Sequence, residues 1–349
     1  RDDFRLHRIM PTLLYLKKAG AKVIVLAHIE SVETNSLEVV AKHLNTLTPV
    51  GFVRSLAELL VKSGEMKDGE VVVLENLRAF GDGEKENDET FAKSLAEFGE
   101  IYVNEAFSVS HREHASIVGI PRFLPSCAGL LFDAEVSHLS EAFAPARPFL
   151  FILGGAKFTT KMPLIQKFLD KADTVFVGGA LSNDIFRERG WEIGHSVTSE
   201  KRLDLRALSE NPKLAVPIDV IVNEPGTLSK LSTEISADDR VFDSGQKTQE
   251  WFMEQLRSAK FVLWNGPLGD YEKGFEQGTI NLARAIAQAV AEGEVRAILG
   301  GGDTVAMLAK IGLLESFTFV STGGGAMLDF LANETLPGIK ALVESQRKN

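Results

Sequence analysis

Arginines and histidines stand at the ends of apolar runs in the first half of this chain, where a core position would be apolar. Arg78 follows VVVLENL, His28 closes KVIVLAH, and His111, Arg112 and His114 follow IYVNEAFSVS, while Arg5 opens the first amphipathic stretch. A guanidinium is a rigid fork that grips phosphate or carboxylate through paired hydrogen bonds. Taken singly, each of these residues also reads as a solvated charge or a cap; converging at one sheet edge, they make an anion pocket. The second half holds a complementary set. Lys157 and Lys161 are four residues apart after a GGA turn and share one face of the following helix's first turn. Lysines there oppose the helix dipole, so their placement calls for an anion. Asp303 follows three glycines at a strand end, where a carboxylate could hold a magnesium-bound phosphate. From local sequence alone, an N-cap for TVAMLAKIG is the simpler reading of Asp303.

The elements that must position these groups are legible too. Five times in the second half a short apolar run stops at glycines: FLFILGGAK (149–157), TVFVGGA (174–180), FVLWNGPLG (261–269), RAILGGGDT (296–304) and FTFVSTGGG (317–325). Runs so rich in Val, Ile, Leu and Phe predict strands buried on both faces, hence a parallel sheet. Ligands of parallel sheets bind beyond the carboxyl ends of the strands, and glycines there let backbone amides face phosphate oxygens. Neither GxxxxGK[ST] nor a GxGxxG opening a βαβ unit occurs, so the two common nucleotide fingerprints are lacking.

At 349 residues the chain exceeds what one core usually supports, and two domains are the default. A net charge of −10 argues against a nucleic-acid binder, yet leaves room for a locally cationic cleft. No apolar run approaches the length of a membrane span. One cysteine, Cys127, excludes an internal disulfide and fits a reducing cytoplasm. Strands are predicted at 22–28, 70–76 and 100–106, with helices at 36–44, 55–63 and 88–98, and RLHRIMPTLLYLKKAG ends on a capping Gly20. LAVPIDVIV (214–222) reads as a sixth strand of the second half. The expected architecture is α/β, with two doubly wound parallel-sheet domains of Rossmann-like form joined by a linker helix. The expected bounds are 1–135, a linker at 136–147, and 148–335, with the tail 336–349 left open by pattern alone.

The ordered set LENLR, HREHAS, GGAK, WNGPLG, GGGDT and STGGGA resembles the phosphoglycerate kinase family over essentially the whole chain. That resemblance implies phosphoryl transfer between 1,3-bisphosphoglycerate and ADP, giving 3-phosphoglycerate and ATP, with Mg2+ and hinge-bending closure. It implies a cytoplasmic monomer acting on small molecules, with neither nucleic acid nor membrane as partner. By position, Arg5 matches the arginine stabilising the transferring phosphoryl group, and His28, Arg78 and Arg112 match residues holding phosphoglycerate. Lys157 matches the lysine that follows the phosphoryl group, and Lys161 one that contacts nucleotide phosphates. Asp303 falls on the magnesium-associated aspartate, with Gly302 and Thr304 beside it. Gly154, Gly155, Gly178, Gly179, Gly245, Asn265, Pro267 and Glu272 align with the adenosine site, and Gly323, Gly324 and Gly325 with the loop under the phosphates. The tail is then expected to pack back on the N-terminal domain.

Departures from the family pattern are informative. Where the family usually reads SHLGRP, this chain reads AHIES, so Glu30 and Ser31 replace a glycine and a phosphate-binding arginine. Ala180, Gln246 and Asp270 also depart near the nucleotide site. The usual first strand, reading like VRVDFNVP, has no counterpart, and a fragment or a truncated form is the resulting expectation, with two strand edges left unpaired. Two other functions compete: a non-catalytic binding or regulatory protein of the same fold, and a nicotinamide-dependent oxidoreductase. Joint retention of Arg5, Lys157 and Asp303 opposes the first, and the absent fingerprint opposes the second.

Overall fold

The structure is a computed structural model that describes residues 3–30, 35–156, 158–200, 202–223 and 228–347. Two compact units divide the chain, one made of residues 1–136 with 335–349 and the other of residues 137–334.

In the N-terminal unit, β1 (Val23–Val25), β2 (Gly51–Val53) and β3 (Val71–Leu74) form a parallel sheet in the order β1-β3-β2. Alternate residues of the central strand bury toward opposite faces, as period-two geometry requires. Val71 and Val73 pack with Leu13, Leu37, Ala41 and Leu44. Val72 and Leu74 pack with Leu59, Met66, Leu77 and Leu95 on the other side. The flanking helices begin where cap chemistry says they should. Ser55 accepts from Glu58 N at 3.1 Å to open Leu56–Glu65, and Asp88 accepts from Phe91 N at 2.7 Å to open Glu89–Ala96. Gly20, with φ +80°, follows the first helix, Phe4–Lys18.

The remaining strands, β4 (Tyr102–Asn104) and β5 (Ser126–Ala128), pair with each other in a separate parallel sheet. The single N-terminal sheet expected from sequence is therefore split: among the described residues, β1 and β4 each have a partner on one side only. Helix Pro337–Gln346 belongs to this unit. Gly338 N donates to Ser110 O at 2.9 Å, and Ser345 Oγ to Leu124 O at 2.8 Å.

In the C-terminal unit, β6 (Phe149–Leu153), β7 (Thr174–Val177), β8 (Leu214–Ala215), β12 (Phe261–Asn265), β13 (Arg296–Gly300) and β14 (Phe319–Val320) make one parallel sheet, ordered β14-β13-β12-β6-β7-β8. Every residue of β6 and β12 is buried, which explains their unbroken apolar runs. Register aligns Leu153 with Val177 and with Asn265, and Asn265 with Gly300. The glycine turns therefore emerge side by side at one edge. Strand order reverses between β6 and β12, which is where an open α/β sheet leaves a crevice.

The segment 214–222 is not one strand. It breaks at Pro217, which has no N–H to give a ladder, and only β8 joins the parallel sheet. The second piece, β9 (Asp219–Val222), is the centre of an antiparallel sheet with β10 (Leu228–Leu231) and β11 (Val241–Ser244). The linker region differs as well. A helix runs from Leu130 to Ser140, a short 3-10 turn covers Glu141–Phe143, and the division between units falls inside that helix.

Candidate active site

His28 lies three residues past β1, and Arg78 sits in the 3-10 turn Leu77–Phe80 that follows β3. Asn76 builds this corner: its Nδ2 donates to Ile29 O at 2.8 Å and to Asn35 O at 2.7 Å, while its Oδ1 accepts from Arg78 N at 3.1 Å. The Arg78 side chain is only 9% exposed, so its guanidinium is held in the protein rather than in solvent. His114 is buried, with its ring 5.9 Å from that of His28. Arg112 lies two residues earlier, with Nε 3.4 Å from His111 Nε2.

Burial, then the Arg78 charge, pushes His28 down to about 4. His114 is lowered by burial and then by Arg112 and Arg78. Near neutral pH both imidazoles are uncharged, and the positive charge of the pocket resides on its arginines. Beneath them Glu84 is fully buried, accepting from Ser116 Oγ at 2.6 Å and from Ser116 N at 3.0 Å. It thereby fastens the turn that carries His114, whose Nδ1 is 3.7 Å away. Burial raises the Glu84 carboxyl, with the Ser116 bonds partly offsetting it.

The ligand atoms of His28, Glu84 and His114 lie within 4.8 Å of one another, a donor set that zinc could use. The surroundings oppose a cation. Arg78 and Arg112 already lower the proton affinity of both imidazoles, and a divalent ion would feel twice that repulsion.

The crevice of the C-terminal unit is built from backbone. Gly154 N donates to Asn265 O at 2.8 Å and Gly155 N to Pro267 O at 2.9 Å, joining the turns after β6 and β12. A Cβ on Gly154 would collide with the carbonyls of Gly266 and Pro267; one on Gly179 would sit 2.8 Å from Gly155 N. One on Gly178 would meet Leu268 at 2.9 Å. Gly154 and Gly179 are required by the close approach of neighbouring turns, whereas Gly178 meets side chains alone. Gly245 is required by the Asp219 carboxylate behind it, which also accepts from Thr248 N at 2.8 Å and caps helix Gln246–Ser258. By contrast, nothing lies within 4 Å of a Cβ on Gly302 or Gly324. Those two face open space at the starts of helices Gly302–Lys310 and Gly325–Asn333, and a helix N-terminus favours an anion. Gly323 N is turned instead to Ser321 Oγ, 3.0 Å away.

Lys161, on helix Phe158–Lys171, donates to Gly154 O. Burial pushes its ammonium down to about 8, with Asp303 pulling the other way. Asp303 is exposed within the first turn of helix Gly302–Lys310, whose cap residue is Gly301, so the N-cap reading of Asp303 falls. Burial and then the nearby Asp303 carboxylate push the Tyr271 phenol up, and the exposed Glu272 follows it in the chain. Thr304 Oγ1 is buried and has no partner among the described residues.

The structure thus groups His28, Arg78, Arg112 and His114 in one unit, and Gly154, Gly155, Lys161, Gly179, Asn265, Pro267 and Asp303 in the other. Arg5 is exposed on the first turn of its helix, with no hydrogen bond or ion pair among the described residues. Lys157 and Ser31 lie outside the described residues. Sequence reading passed over Glu84, which is hidden in the charged loop GDGEKEND and looks there like a solvated carboxylate. It also passed over Tyr271, to which no pattern pointed.

Parallel sheets with glycine turns at their carboxyl ends, a half-buried lysine and a separate arginine pocket define a two-unit α/β phosphotransferase. Comparison with known proteins narrows the class. Residues 1–334 match the family described as phosphoglycerate kinase. A curated phosphoglycerate kinase of Maricaulis maris (strain MCS10) is 39% identical over 98% of this chain and 90% of its own length. That of Orientia tsutsugamushi (strain Ikeda) is 36% identical over the same shares. Solved phosphoglycerate kinases of Coxiella burnetii (TM-score 0.85, 33% identity, 100% of this chain and 92% of that one) and Pyrococcus horikoshii OT3 (TM-score 0.87, 29% identity, 99% and 92%) share the fold. This chain belongs to the phosphoglycerate kinase family, and it is an enzyme of glycolytic phosphoryl transfer.

Proposed function

We propose that the arginine pocket of the N-terminal unit holds phosphoglycerate, that the glycine crevice of the C-terminal unit holds ADP or ATP, and that the two units close during turnover. What supports this reading is that each unit gathers cationic groups of its own: a near-buried Arg78 beside two neutral imidazoles in one, and a half-buried Lys161 beside open helix N-termini in the other. Phosphoryl transfer is governed by positioning and charge neutralisation. A carboxylate oxygen of 3-phosphoglycerate attacks the γ-phosphorus of ATP, the bond to the β-phosphate oxygen breaks, and ADP leaves; the reverse makes ATP. The carboxylate is already ionised and the acyl phosphate already activated, so no strong general base is required. That accounts for a site of Arg, Lys and backbone amides rather than a triad. Closure excludes water that would hydrolyse the acyl phosphate.

In this reading Arg5 and Lys157 stabilise the charge on the moving phosphoryl group, and Lys161 neutralises nucleotide phosphate. The exposed Asp303 carboxylate and the unpartnered Thr304 hydroxyl are oxygen donors suited to magnesium, which when bound neutralises phosphate charge. The single cysteine suits a reducing cytoplasm, where we place the enzyme. We take it to act as a monomer, which light scattering after gel filtration checks. The principal test is turnover of 3-phosphoglycerate, ATP and Mg2+ coupled to an NADH-linked reporter. Nucleotide binding without turnover would replace this reading with that of a binding protein.

A further inference from the structure

We propose that Glu30 is a built-in competitor for the phosphoglycerate pocket, its carboxylate occupying the Arg78 guanidinium that the incoming anion must take. This rests on the reading of that pocket given above. Glu30 lies two residues beyond His28, and Arg78 Nη1 donates to its Oε2. Lys85 Nζ holds the other oxygen at 3.5 Å. Arg78 and Lys85 keep the Glu30 carboxyl below its ordinary range, so it is charged throughout the neutral range.

Two features make this an exchangeable contact rather than a structural one. The partners differ in exposure: Arg78 is 9% exposed and Glu30 68%, so the carboxylate can swing into water without disturbing the core. The guanidinium is also only partly used, since its Nε is buried with no partner among the described residues. A ligand reaching that N–H as well would satisfy Arg78 better than Glu30 does. Glu84 does not compete in the same way, because both of its oxygens are committed to Ser116. Substrate binding is thus an exchange of one ion pair for another, which weakens it and blunts its dependence on salt.

The test is calorimetric titration of 3-phosphoglycerate, with KM and kcat, for the wild type, Glu30→Gln, Glu86→Gln and Arg78→Ala, in low and high salt. Glu86 is exposed in the same loop as Lys85 and has no ion-pair partner among the described residues, so it is the charge-matched control. Glu30→Gln is expected to lower Kd and KM for 3-phosphoglycerate by about three- to tenfold, the scale of one relieved ion pair. Its kcat and its KM for ATP should stay within about twofold of wild type, the weak end of surface-charge effects. Its binding should also weaken more steeply with salt than that of the wild type. An unchanged or raised Kd in Glu30→Gln, or an equal gain in Glu86→Gln, overturns the proposal. If Arg78→Ala still binds 3-phosphoglycerate as the wild type does, the pocket itself has been misassigned. Thermal midpoints of all four proteins separate these outcomes from misfolding.

Discussion

The two proposed anion sites of this chain are made of different material. The N-terminal pocket is assembled from side chains, His28, Arg78, Arg112 and His114, with Glu84 underneath and Glu30 across its mouth. The C-terminal crevice is assembled from main chain, with turns so close that Gly154, Gly179 and Gly266 have no room for a Cβ. Side chains can be exchanged one at a time, and each exchange retunes charge and affinity while the fold persists. Backbone cannot be retuned in that way, because any added atom moves the turn that supplies the amides. The first kind of site tolerates variation, as Glu30 shows. The second should be intolerant except where it faces open space.

The sharpest way to break that contrast is a methyl group at each of two glycines. Gly154→Ala sets a Cβ against the carbonyls of Gly266 and Pro267, neither of which can yield without displacing a turn. Overpacking against backbone costs about 3 kcal/mol or more, so the variant should unfold well below the wild-type midpoint or fail to accumulate. Gly302→Ala adds the same methyl where nothing lies within 4 Å, at a helix start. Its midpoint should change little. Equal tolerance of both would mean that the turns are not packed as described.

Lys157→Ala probes charge rather than space. Its role rests on the match of the GGAK motif to the family. If its ammonium follows the phosphoryl group in flight, kcat should fall by about 10²-fold or more, with nucleotide affinity changed much less, as for other lost electrostatic stabilisers. Rapid-quench kinetics beside nucleotide titration would make the separation. A variant with near-normal kcat removes this lysine from the chemistry.

Much of this was legible in the sequence, for reasons that also mark the limit. β6 and β12 are buried on both faces, so their composition announces them, and the glycines at their ends follow from the register that aligns the turns. The antiparallel sheet was not legible. β10 reads LSKL, half of it exposed, and it carries no apolar periodicity by which to find it. The difference between Gly154 and Gly302 was equally hidden, since a glycine in a string says nothing of what its missing Cβ would meet. Glu84 shows the converse problem. Among Asp82, Lys85, Glu86 and Asp88 it looks like one solvated charge of several, and only the fold buries it beneath His114.

A subtler comparison lies in protons. Lys161 in the C-terminal crevice is pushed down to about 8 because burial penalises its ammonium. An unfolded chain keeps that proton to about 10.5. The burial penalty is therefore present in full below pH 8 and is relieved between about 8 and 10.5, where the fold has shed a proton that the unfolded chain still holds. Nucleotide phosphates beside the amine favour its charged form and should raise it again. At pH about 8.5, binding of ADP should accordingly draw in most of one proton, visible as a calorimetric enthalpy that varies with the ionisation enthalpy of the buffer. At pH 7 the uptake should nearly vanish, and Lys161→Met should abolish it at both. The N-terminal pocket should behave differently. His28, at about 4, is too far below either pH to take part, so 3-phosphoglycerate should bind without proton uptake at pH 8.5. Buffer-independent ADP binding at that pH would show that Lys161 is already fully charged before the nucleotide arrives, and that its burial is less complete than its contact with Gly154 implies.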